Sequence, residues 1–365
     1  MAITRLGPNQ DITAAKIAGT INFKNLIING DMSIDQRNSG SSITPTNGQY
    51  GVDRWQNAVN VSSKYSIQQV SDAPTGFVYS NKVTSLSAYS IGAGELAGLR
   101  QYVEGYNITK LDWGTSDAQT VTLSFWVKSS LTGDFGVTVG NDNGRTYGAL
   151  YNISSADTWE KKSVTIEGDT SGTWLTTNGK GISLVFALST GSTFLATADS
   201  WNASTSYGVT GQTQILATNS ATWQVTGVQL EVGTSASDFE FLPYDVNLQR
   251  CRRYLQYVCG NSNIGELTGG FRATGSAQCG MQFTTPMRTA PSVSLVGLRL
   301  HDLNDGDNLD VTSISVINGS SPNGTWLNMN NSGTGTVAGV CILYGYNASP
   351  TSGVQSYGIK VDAEL

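Results

Sequence analysis

The stretch WQVTGVQLEVG (Trp223 to Gly233) alternates apolar and polar residues, with Val225, Val228, Leu230 and Val232 recurring at near two-residue spacing. That is the period of a half-buried strand, and Gly227 marks a bulge or a close approach within it. A turn over Thr234 to Asp238, the aromatic pair Phe239 and Phe241, and Pro243 as a stop come next. The period then changes. From Asp245 the apolar residues fall at Leu248, Cys251, Leu255 and Val258, steps of three, four and three that predict a helix capped by Asp245 and ended by Gly260. A closing strand followed by one short helix is how a β-domain ends and hands the chain to another.

Before that helix, strand-like runs recur at Leu26 to Ile28, Tyr65 to Val70, Phe77 to Val83, Ala97 to Glu104, Val121 to Lys128, Gly136 to Val139, Thr158 to Ile166, Ile182 to Leu188 and Trp223 to Val232. Turn signals such as Asn29-Gly30, Thr132-Gly-Asp134 and Asn178-Gly179 separate them. The pattern predicts an all-β fold: a jelly-roll β-sandwich, the short linking helix, then a second, smaller β-sandwich domain with strands from Leu267 to Val361. The expected boundaries are residues 1–24 for an N-terminal segment, 25–244, 245–260 and 261–365. DITAAKIA (Asp11 to Ala18) has too little apolar surface to hold a helical turn alone. Ala196 to Gly211 is the longest insertion-like loop, with Trp201 and Tyr207 at its tip.

At 365 residues the chain can bury two cores, and its 42 glycines and 8 prolines suit a turn-rich β protein. Only 13% of residues are charged and the net charge is −6, so no basic surface for nucleic acid is expected. MAITRLGPNQ lacks the basic start and apolar core of a secretory signal, which predicts synthesis in the cytosol. The longest apolar run, around Val340 to Tyr344, is too short to insert across a membrane. Cys251, Cys259, Cys279 and Cys341 lack metal-ligand spacing, and free, mostly buried thiols are expected.

Catalytic chemistry finds little to work with. His301, the only histidine, is expected in a loop beside Asp302, far from a nucleophile elbow. Asp31, Asp35, Asp53, Glu95, Glu104 and Asp112 could supply a carboxylate pair, but no spacing selects one, so no enzyme is expected. Asp53-Arg54-Trp55 reads either as a sugar platform or as a buried Trp with an Asp–Arg pair fixing a strand, and the buried reading is preferred. Trp126, Trp159 and Trp223 lie within alternating strands and are expected in the core. Arg250, Arg252 and Arg253 read as a solvated or interface face of the helix. The aromatics in loops, Trp174, Trp201, Tyr207 and Trp326, are the candidates for stacking on a sugar, or equally for plugging contacts between subunits.

Several stretches together resemble bacteriophage tail-fibre and related virion proteins. They are NLIINGDMSIDQRNSG followed by YGVDRW, Leu99 to Val137, Trp159 to Trp174, and VTGVQLEVGTSASDFEFLPYDVNLQRCRRYLQYV, five blocks in the expected order over most of Asn25 to Val258. The resemblance implies a jelly roll similar to carbohydrate-binding modules. FTTPMRTAPSVSL and KVDAEL resemble the small β-domain that ends many such fibres, and ITAAKIAGTI resembles one unit of a fibre-shaft repeat whose Ile residues face a threefold axis. It further implies a homotrimer on the exterior of the virion. Ile3, Leu6, Ile12, Ile17 and Ile21 would attach it to other virion proteins of tail, neck or capsid, and host-cell surface polysaccharide would be its ligand. No cofactor is implied. In similar carbohydrate modules the position of Asn29-Gly30-Asp31 begins a structural calcium site, but the acidic pair opposite is lacking in TGVQLEV, so Asp31 is not favoured as a ligand. A capsid or neck decoration protein with the same fold is the alternative reading, and a polysaccharide depolymerase a more distant one.

Overall fold

A computed structural model describes residues 23–258, 267–303, 306, 308–333, 340–345 and 358–365. Ile3, Leu6, Ile12, Ile17 and Ile21, together with Cys259 and Gly260, lie outside the described residues.

The first domain is built from β1 (Gln56–Val59), β2 (Tyr65–Val70), β3 (Ser80–Ser85), β4 (Leu96–Glu104), β5 (Val121–Ser129), β6 (Gly133–Gly140), β7 (Thr146–Ile153), β8 (Glu160–Ile166), β9 (Lys180–Thr190), β10 (Leu195–Ala196), β11 (Ser200–Asn202), β12 (Gly208–Val209) and β13 (Thr222–Val232). They form a sheet in the order β1-β4-β9-β6-β7-β11 and a second in the order β2-β3-β13-β5-β8, both antiparallel throughout. This is the two-sheet sandwich that the alternation predicts, with the jelly-roll fold that the resemblance implies.

In β5, Leu123, Phe125 and Val127 are fully buried, so Ser124, Trp126 and Lys128 must face the other way. Phe125, Tyr151, Phe186 and Trp223 meet between the sheets, Phe186 lying 4.9 Å from Phe125 and 5.4 Å from Trp223. Of the three strand tryptophans expected in the core, only Trp223 is there. Trp126 and Trp159 are half-buried on the outer face of the five-stranded sheet. Two adjacent aromatics in one strand cannot share a face, and Phe125 holds the inner one.

The Ala196 to Gly211 insertion folds back on the six-stranded sheet, with β12 packed over β6 and β9. Gly136 and Gly148 admit it, since a Cβ there would lie 2.2 Å from Gln212 and 2.8 Å from Ala196. Leu26, Ile27 and Ile28 are buried as expected, yet form no strand of a sheet. Asn25 holds that segment to β13, donating to the Val228 carbonyl at 3.0 Å and accepting from Leu230 N at 3.1 Å.

The helix α1 (Tyr244–Arg252) is shorter than its apolar spacing predicts. Pro243 stands at its N-cap and Asp245 in its first turn, where a carboxylate suits the helix dipole. At Arg253 the chain leaves the helix, and β14 (Leu255–Val258) pairs with β21 (Gly358–Asp362). Backbone pairing to a strand about a hundred residues downstream overrides the helical period, helped by β-favouring Tyr257 and Val258.

The second domain therefore begins at Leu255. Its further strands are β15 (Leu267–Ala273), β16 (Ser276–Gln282), β17 (Ser292–Asp302), β18 (Asn308–Ser321), β19 (Gly324–Asn331) and β20 (Val340–Gly345). The order is β14-β21-β17-β18-β19-β16-β15-β20, and an added β17–β20 pairing folds the sheet back on itself around one core. Phe271, Met281, Leu300, Leu327, Met329 and Val361 fill that core. Cys251, Cys279 and Cys341 are free and buried.

A small third core joins the domains, made of Ile28, Ile34, Cys251 and Tyr254 with Leu248 and Leu365 packed on it. Beside it, Arg54 pairs with Glu364 and lies over the Tyr254 ring at 3.5 Å. Trp55 is buried as expected, its Nε1 donating to the Asn29 carbonyl at 3.0 Å. The expected Asp53–Arg54 pair is not formed, because Asp53 instead takes Arg37 at 3.3 Å.

Candidate functional site

The outer face of the five-stranded sheet carries an aromatic hollow. Trp126 on β5 sits opposite Thr226 on β13 and Lys161 on β8, which fixes all three on one face. Between Thr226 and Gln229 the register slips at the bulge expected from Gly227, whose φ is +62°. A Cβ at Gly227 would lie 2.7 Å from the Phe77 ring and 3.1 Å from Trp126, so the glycine lets the two rings close over the strand. Phe77, Phe239 and Phe241 form a triangle of rings with centroids 5.1, 5.0 and 4.8 Å apart. With Trp126, Ser124 and Lys161 they line a hollow of about 410 Å³, and Phe241 is 57% exposed.

The same face continues along a polar row. Asp72 accepts from Trp159 Nε1 and Gln224 Nε2, each at 3.3 Å, and from Lys128, whose ammonium lies 5.3 Å from the Trp159 ring. Burial pushes the Asp72 carboxyl up, but the hydrogen bonds from Lys128, Trp159 and Gln224 outweigh it and hold the group below its ordinary value. Partly exposed rings beside an exposed ammonium such as that of Lys161 can stack on a sugar ring and bond its hydroxyls.

The residues expected to stack on sugars are divided by the structure. Trp174 is only 7% exposed and packs edge-on to Trp113 at 4.6 Å and Trp201 at 5.6 Å. Trp201 also meets Trp113 at 5.4 Å and Tyr147 at 5.5 Å. The indole N–H groups are already used: Trp174 donates to Asp169 at 3.2 Å, and Trp201 to the Glu167 carbonyl at 2.9 Å. Trp174 is therefore covered and offers no face to a sugar, whereas Trp201 is half-buried at the edge of the same ring cluster. Tyr207 is half-buried, edge-on to Phe194 at 5.8 Å.

Trp326 alone of the four stands out from the surface. It is 56% exposed on β19, opposite Gly280, where a Cβ would meet nothing. Its ring separates two open hollows of about 900 and 400 Å³, one reaching Gln282 and Asn318, the other Arg272 and Gln278.

Asp31 accepts from Asn247 and Ser33, both at 3.1 Å. Among the described residues no three His, Cys, Asp or Glu side chains cluster as metal ligands, and no helix is long and apolar enough to cross a membrane. The candidate carboxylates have structural partners. Asp35 accepts from the backbone of Asn38 and Gly40, Glu95 from Tyr89 and Gly92 N, and Glu104 from Arg253 and Tyr254. Asp112 is exposed at the left-handed end of a 3-10 turn. His301 lies in β17 and not in a loop, 3.1 Å from the Asn308 carboxamide.

Residue-by-residue reading missed Phe77, Trp126, Phe239 and Phe241 as a site. The signal for Trp126 was present, since an apolar residue beside an inward-facing Phe in a strand must face outward. Nothing local could bring Phe77 to Phe239, which lie on separate loops.

No protein-family model matches the chain, and no curated protein matches it. Among solved structures it is similar to the enzymatically active domain of tailspike protein 4 of bacteriophage CBA120, at 13% identity and a TM-score of 0.31, over 57% of this chain and 21% of that one. The chain thus spans about a fifth of the length of that domain's chain. It is also similar to the CBM22-1 xylan-binding domain of Paenibacillus barcinonensis Xyn10C, at 12% identity and a TM-score of 0.28, over 54% of this chain and 97% of that one. The family 11 carbohydrate-binding module of Clostridium thermocellum Lic26A-Cel5E gives 12% identity and a TM-score of 0.28, over 54% and 98% of the two chains. The fold itself is given by the strand order and register above.

Proposed function

We propose that this protein binds saccharides without altering them and serves as an attachment protein on the outside of a bacteriophage particle. The observation that carries the binding role is the hollow on the outer sheet face lined by half-buried Trp126 and Phe77 and exposed Phe241, with the exposed Lys161 beside them. An aromatic platform flanked by hydrogen-bonding groups stabilises a sugar by apolar contact on one side and polar contact at its rim. Trp326 is a second platform of the same kind on the other domain. The five ordered blocks similar to tail-fibre proteins support placement on the virion as a homotrimer, docked through residues 1–24 to tail, neck or capsid proteins. Single-site affinity would be weak, and three copies on one particle would raise the avidity by roughly 10²–10⁴.

The test is to add purified protein to host cells and to their extracted surface polysaccharide. Saturable binding that falls in Trp126→Ala, in protein that remains folded, supports the reading. No binding by the trimer where the whole particle adsorbs overturns it.

A further inference from the structure

A second hollow has different chemistry from the aromatic one. It lies between α1, the segment Phe23 to Ile28, and the 3-10 turns over Gly105–Asn107 and Thr109–Leu111, with a volume of about 470 Å³. Its floor is apolar, made of buried Leu26 and Ile28, and the ring of Phe23, 56% exposed, forms one wall. Its charged groups are Arg250, Arg253 and Lys110.

The three cations are not equivalent. Arg253 is neutralised by Glu104, to which it donates from Nε at 2.8 Å and from Nη2 at 2.6 Å, and the Tyr254 hydroxyl donates to the same carboxylate at 2.7 Å. Arg250 and Lys110 have no carboxylate partner among the described residues. Arg250 donates once, from Nη2 to the Asn25 carbonyl at 3.3 Å, and stands 5.5 Å from the Phe23 ring centroid. The nearby Glu240 is engaged elsewhere, accepting from Lys24 N and Asn25 N, each at 3.1 Å. Arg250 is also held in place, because it projects from a helix whose neighbours Cys251 and Tyr254 are buried in the junction core. A guanidinium fixed at the edge of an apolar hollow, with donors left over and burial already reducing its hydration, is suited to a carboxylate. On a chain of net charge −6, two unpaired cations lining one hollow give it a local sign opposite to that of the whole.

We infer that this hollow binds a carboxylate-bearing sugar, with the carboxylate on Arg250 and Lys110 and the apolar face of the sugar ring on Phe23 and Leu26. A bare inorganic anion would leave the apolar floor unused, and a neutral sugar would leave both cations unpaired. The inference concerns a site separate from the Trp126 face, so each can fail without the other.

The experiment titrates the full chain by calorimetry with a galacturonate trisaccharide and with the neutral galactose trisaccharide of the same length. Binding of the uronate at least about tenfold tighter than the neutral sugar is expected, weakening about tenfold in Arg250→Gln. Lys110→Gln, at an exposed position, tests the site independently should Arg250→Gln disturb the junction, and it should weaken the uronate several-fold. Raising the salt should weaken the uronate and leave any neutral-sugar binding unaltered. Equal affinity for the two sugars, or uronate binding that survives both substitutions, overturns the inference. So does a glutamate-rich peptide that competes at lower concentration than the sugar, which would make the hollow a protein-docking site.

Discussion

Arg54 and Glu364, 310 residues apart in the sequence, form a buried ion pair at the junction of the two domains. Arg54 has a left-handed backbone, φ +71°, and its Nη2 also donates to the Tyr102 carbonyl at 2.7 Å. Glu364 is shared with Arg37 at 2.9 Å, and Arg288 holds the adjoining backbone through the Ala363 and Glu364 carbonyls at 2.8 and 2.9 Å. The last residues of the second domain are thus bonded into the first. Glu364→Gln leaves the buried Arg54 guanidinium without its carboxylate, while Arg37 keeps Asp53, and should cost about 3–5 kcal/mol, read as a lower urea midpoint. An unchanged midpoint would show that the junction does not depend on this pair.

Asp53 gives the junction a pH dependence. Burial pushes its carboxyl up to about 6, against the pull of Arg37. A carboxyl that titrates higher in the folded chain than its ordinary 3.8 binds its proton more tightly when folded. Its contribution is therefore fully present below the unfolded value and is lost as pH rises through about 6. Urea midpoints between about pH 4 and 7 should carry this downward slope in the native chain and lack it in Asp53→Asn.

Trp174 and Trp126 should respond oppositely to alanine. The Trp174 ring is buried among Trp113 and Trp201, so Trp174→Ala should cost about 3–5 kcal/mol and leave saccharide binding intact in the protein that remains folded. Trp126→Ala, at a half-buried outer position, should cost about 1 kcal/mol or less and lower saccharide affinity about tenfold. Thermal unfolding and a binding isotherm on both variants check the pair.

Gly227→Ala tests how the hollow is built. Its φ of +62° costs a β-carbon about 1–2 kcal/mol, and that carbon would press on Phe77 and Trp126. Both stability and affinity should fall, whereas Gly280→Ala, facing open space, should alter neither.

Trp326→Ala should leave stability within about 0.5 kcal/mol, because the ring is mostly exposed. A fall in affinity for the same polysaccharide would establish a second platform on the second domain, and an unchanged isotherm would remove it.

The sandwich and its main strands were legible because two-residue alternation is a property of neighbouring residues, as in the Leu123, Phe125 and Val127 series. The bulge at Gly227 was legible for the same reason. The helix was overextended because Leu255 and Val258 fit a helical stripe as well as a strand, and only β21 decided between them. The covering of Trp174 is not legible in the sequence, because exposure of a ring depends on what else reaches it. Trp113, Trp174 and Trp201 come from three separate loops and strands.

By itself the sequence determined the inward alternation of runs such as Leu123, Phe125 and Val127, where turns such as Asn178-Gly179 fall, and that the fold is all-β. Those follow from local geometry and from the need to bury apolar side chains. The tertiary structure decided which outward aromatics meet, which arginines find a carboxylate and which do not, and that Glu364 closes the junction on Arg54. Those are contacts across long sequence separations, set by strand order and register, and no local pattern encodes them.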